Sequence, residues 1–140
     1  MTTMDKVELA ERKAGARAAV MALLAVVLVA GATFGFDNPA NDVGGRAVAW
    51  LIELGLALMV LGSGGGLMLS RELRALMNDE LSRENRRRAI VFGFYAGLAA
   101  MTALYVAAGT TTIDLRAALR LASGLTVAAA LGRYAMLEWR

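Results

Sequence analysis

The chain has 140 residues, 58% of them hydrophobic, carries 15 Lys and Arg against 12 Asp and Glu, and contains no cysteine and no histidine. Those two absences exclude disulfides, thiol redox chemistry, thiolate clusters, imidazole-ligated haem and ordinary zinc sites, and they remove the usual general base. No cofactor is expected, and the net charge of +3 reads as a membrane-flanking feature rather than a surface for direct nucleic-acid binding.

The hydrophobic residues gather into four blocks with almost no charge. A soluble domain would spread them through short amphipathic pieces instead. Each block approaches or exceeds the ~20 helical residues that a bilayer core requires. The expectation is an all-α protein, a four-transmembrane-helix bundle with spans at about residues 18–36, 47–70, 89–109 and 115–137 in a single integral membrane domain over 1–140.

Along the chain, Lys6, Arg12, Lys13 and Arg17 precede the first block like the charged region of a signal peptide, with Ala30-Gly31-Ala32 as a cleavage-like triplet. The apolar run continues through Phe34 and Phe36, longer than such a peptide needs, so we read a retained first span. The connection "DNPANDVGGR" holds the only proline and one arginine. The second block carries Glu53 and the run "GSGGG" at 62–66, and leads into "RELRALMNDELSRENRRR", which holds six arginines. After the third block the turn at 110–114 carries no Lys or Arg. Arg116 and Arg120 lie just inside the fourth block, and Arg133 and Arg140 flank its end. Basic residues concentrate on cytoplasmic connections, so this alternation places both termini in the cytoplasm of a bacterial inner membrane.

The arginine-rich stretch has more order than a solvated loop requires. Leu73, Leu76, Met77 and Leu81 recur at helical spacing, and Glu80–Arg83 and Glu84–Arg88 are favourable neighbours. The reading is a cytoplasmic helical hairpin over 71–88 between helices 2 and 3, turning near Asn78-Asp79, where either residue can cap the following helix. Three roles remain open: a topogenic loop, a partner-docking surface using Asp79, Glu80, Arg83, Arg86 and Arg87, or a site for anionic lipid.

Small residues four apart recur as Gly31/Gly35, Gly62/Gly66, Gly93/Gly97 and Gly124/Ala128/Gly132. Such spacing lets helix backbones approach closely in lipid. It suits packing within one chain, with a homodimer seam as the rival. The glycine run at 62–66 weakens its helix and serves as a hinge, a kink or a tight crossing.

Glu53 and Arg120 lie at similar expected depth, seven residues after Arg46 and six after Asp114 respectively, and Arg116 shares Arg120's face. An ionisable group inside a span is a functional hypothesis with a partner to be named. The three readings are a structural ion pair, an intramembrane pocket for an anion or proton, and outward snorkelling of Glu53. No catalytic set emerges. Asp79 and Glu80 are adjacent and point ~100° apart on a helix, and the serines lack a base in any recognisable motif.

The residues Asp79, Glu80, Asn85, Arg86, Arg87, Arg88 and Ala89 resemble a pattern in small, mostly uncharacterised bacterial inner-membrane proteins. In these an acidic pair follows one span and an Asn/Arg-rich turn enters the next. The resemblance implies a membrane-bound partner for a helix-turn-helix regulator. Four spans in a short chain also look like small multidrug resistance transporters, although the essential glutamate of that family lies in the first span and this first span has no carboxylate. The functional expectation is a non-enzymatic regulatory or accessory membrane protein that docks a partner through 71–88. The alternative is a small dimeric transporter or ligand sensor built on Glu53 and Arg120.

Overall fold

The computed structural model describes residues 3–34, 43–63 and 80–139, with side chains from Gly15 onward except those of 43, 44, 46, 80 and 81. All regular structure among them is helical: α1 (Thr3–Phe34), α2 (Val43–Ser63), α3 (Glu80–Ala108) and α4 (Leu115–Glu138). Three of these are long and apolar enough to cross a bilayer, over Gly15–Phe34, Ser82–Ala108 and Leu115–Glu138, and they mark the chain as a membrane protein. The apolar stretch of α2, Ala47–Ser63, is shorter at ~25 Å of rise. The remainder of the expected second span, 64–70, lies outside the described residues, as do most of the glycine run, the turn at 78–79 and Gly35.

Helix limits follow from local chemistry. Asp114 stands just before α4 in an extended conformation, and its carboxylate accepts from the Ala117 amide at 3.0 Å, an N-cap placed by the only acid in the preceding turn. At the end of α3, Thr110 and Thr111 bond back to the Ala107 carbonyl through both amide and hydroxyl, which closes the helix where the chain reverses. Both α1 and α3 run past their apolar spans. The 29 residues of α3 extend ~43 Å, so its charged first turns are continuous with the span rather than a separate loop.

The core is organised around α4. It packs along α1 on one side and α3 on the other, while α2 makes lighter contact with α4 and α1. Being flanked twice explains why α4 buries Val127, Ala128, Ala130, Leu131, Tyr134 and Ala135, against Met21 and Leu28 of α1 and Ala57 and Leu61 of α2. Outer faces stay apolar and uncovered, with Phe34 at 85% and Tyr105 at 83% exposure. In water that surface would be a severe liability, whereas in lipid it is the expected exterior.

Two helix crossings depend on missing side chains. A β-carbon at Gly93 would stand 2.7 Å from Ala130 Cβ and 2.8 Å from the Thr126 carbonyl, and one at Gly97 would meet the Thr126 hydroxyl. That hydroxyl is held against α4 by its bond to the Ala122 carbonyl at 2.6 Å. At Gly124 the obstacles are Ala32 Cβ at 2.8 Å and the Trp50 ring at 3.0 Å. The Gly93/Gly97 and Gly124 spacings are therefore used for packing within this chain. Gly132 and Gly62 have nothing within 4 Å among the described residues.

Candidate functional site

Polar side chains collect at two levels of the helical assembly. At the end marked by Glu138, Arg17 of α1 forms an ion pair with Glu138 across 121 positions of sequence, with side chains 11% and 7% exposed. The Arg17 guanidinium also lies over the Tyr134 ring, 5.8 Å from its centroid. Tyr134 is fully buried, and its hydroxyl shares a 3.1 Å hydrogen bond with Ser82 of α3. Arg86 of α3 donates to the Gly62 carbonyl of α2 at 2.6 Å. The start of the first span, the end of α2, the start of α3 and the end of α4 thus meet at one end. Neighbours α1/α4 and α3/α4 run antiparallel, and α2 runs parallel to α4.

Sequence reasoning missed this cluster, treating Arg17 only as a flanking charge and leaving Glu138 and Tyr134 unassigned. The available signal was two opposite charges at one face of the first and fourth spans, with Tyr134 one turn from Glu138 on the same helix face.

The second level holds Glu53 and Arg120. The expectation of equal depth is corrected here, because no ion pair joins them among the described residues. Trp50 lies against Gly124, which sets the two helices' register. Glu53 is one turn from Trp50 toward the Glu138 end. Arg120 is one turn from Gly124 toward the opposite end. Their backbones are therefore ~10 Å apart along the axis, with the indole between them. Counting inward from the nearest polar residue misjudged depth because Arg46 and Asp114 do not lie level. Each residue keeps one buried polar atom without a hydrogen-bond partner, Glu53 Oε1 and Arg120 Nε. Arg116 is exposed, one turn farther out.

Of the docking residues expected on 71–88, Asp79 and the Glu80 side chain lie outside the described residues. Arg83 and Arg87 are exposed one turn apart. Arg86 is committed to the α2 carbonyl, and Arg88 is tied to Glu84 at 2.8 Å. No cluster of three or more His, Cys, Asp or Glu side chains comes together among the described residues.

Comparison with protein-family models, with curated proteins and with solved structures finds no match.

Proposed function

We propose that this chain is a four-span accessory protein of a bacterial inner membrane, with both termini cytoplasmic, that holds a soluble partner through the helix leading into its third span. One observation carries the reading. α3 is unbroken from Glu80 into its apolar segment, and it presents Arg83 and Arg87 on one exposed face with no ion-pair partner among the described residues. A rigid helix emerging from lipid fixes both the position and the direction of those guanidiniums, which suits an acidic protein surface. By resemblance of the 79–89 segment, the partner is a cytoplasmic regulator of helix-turn-helix type. Arg86 then serves to fasten α3 to α2 rather than to dock.

The test is photocrosslinking in cells from positions 83 and 87, followed by mass spectrometry. The expected product is a soluble protein captured from both positions and lost when the neighbouring arginine is replaced by glutamate. Capture of lipid and self alone overturns the reading.

A second reading is favoured by the buried, unpartnered atoms of Glu53 and Arg120. An acid and a base ~10 Å apart along the helix axis suit a small ligand carrying both charges, held by a transporter or sensor. In that case Glu53→Gln and Arg120→Gln each abolish ligand binding without unfolding the protein. Retained binding in both removes this alternative.

A further inference from the structure

The acids with described side chains at the Glu138 end are already engaged, Glu138 by Arg17 and Glu84 by Arg88. Arg133 of α4 has no carboxylate partner among the described residues. It belongs to the apolar segment Leu115–Glu138, five residues before that segment's end, ~8 Å of rise from it. A guanidinium at that depth is poorly hydrated and calls for an anion.

Its surroundings hold it in place. The guanidinium sits over the Phe92 ring of α3, 5.8 Å from the centroid, and Phe92 is half exposed. Arg88 is one turn from Phe92 on the same side of α3. It bonds Glu84 through Nε, and its terminal nitrogens make no hydrogen bond among the described residues, which leaves them for another acceptor. The Arg133 guanidinium therefore sits on Phe92, and Arg88 stands one turn from that ring on the same side of α3, at the mouth of the α3/α4 groove. Gly93 makes that groove narrow by bringing α3 onto Ala130 and Thr126. α2 does not cover it, because Arg86, which reaches α2, is ~160° around the helix from Arg88. Below Phe92, exposed Ala99 and Ala103 continue along the same side as a low strip.

Arginine's planar fork matches phosphate oxygens, and basic niches between spans on the cytoplasmic side suit lipid headgroups. We propose that the α3/α4 groove at the Glu138 end binds one anionic phospholipid, its phosphate held by Arg133 and Arg88 and an acyl chain laid past Phe92 along Ala99 and Ala103. A lipid fits better than a soluble anion because the niche opens sideways at the depth of the apolar span. It is independent of the docking reading, since Arg83 and Arg87 occupy a different face.

The experiment is native mass spectrometry of the full chain from mixed micelles with equal phosphatidylglycerol and phosphatidylcholine. The wild-type chain is expected to retain one phosphatidylglycerol in preference. Arg133→Gln should lower that preference about fivefold, the weight of one arginine near a membrane surface. Arg116→Gln, at the opposite end, should leave it unchanged. If Arg133→Gln fails to fold, Arg88→Gln provides the same readout. Excess inorganic phosphate should not displace the lipid, and displacement reassigns the niche to a free anion and overturns the proposal. Equal retention of both lipids by the wild type, an unchanged preference in the folded variant, or an equal loss in Arg116→Gln overturns it as well.

Discussion

Trp50 of α2 lies against Gly124 of α4 so closely that a β-carbon at 124 would stand 3.0 Å from the indole. This contact sets Glu53 and Arg120 ~10 Å apart along the helix axis, and no ion pair joins them among the described residues. The energetic consequence is independence. Glu53→Gln and Arg120→Gln should combine additively in stability, within ~0.5 kcal/mol, as uncoupled sites do. Equilibrium unfolding of the two single variants and the double variant in detergent measures this. A coupling well above ~1 kcal/mol would show that the two charges meet.

Arg17 and Glu138 should behave in the opposite way. Both side chains are nearly buried, so Arg17→Met strands the Glu138 carboxylate and should cost about 3 kcal/mol. Adding Glu138→Leu should restore most of the loss, because no uncompensated charge remains. The same unfolding measurement decides it. Additive single losses would mean that the pair does not hold α1 to α4.

The glycines separate by position. Gly93→Ala places a methyl group against the Ala130 side chain and the Thr126 backbone, neither of which can swing aside, and should cost ~1–3 kcal/mol. Gly132→Ala meets nothing within 4 Å and should be neutral or stabilising, since alanine favours the helix. Thermal stability of the two variants should therefore move in different directions. Equal effects would place the α3/α4 crossing elsewhere.

Sidedness can be read by labelling, because the chain has no native cysteine. Thr111 and Arg83 are both exposed and lie at opposite ends of α3. An impermeant thiol reagent added to intact cells should label a cysteine at 111 and spare one at 83. The reverse pattern inverts the proposed orientation.

The all-helical character of the chain and its membrane-crossing segments were legible from residues alone. Long uncharged runs can satisfy their backbone in lipid only as helices. The packing use of Gly93, Gly97 and Gly124 was also legible, since spacing of four marks one helix face wherever the partner stands. Which polar groups meet was a different kind of question. Arg17 reaches Glu138 because α1 lies beside α4, and Glu53 misses Arg120 because an indole ring fixes their helices out of step. A one-dimensional pattern gives each helix its faces and its length. The partner and the axial offset between helices come from side-chain volumes meeting across a crossing, and only the tertiary structure contains them.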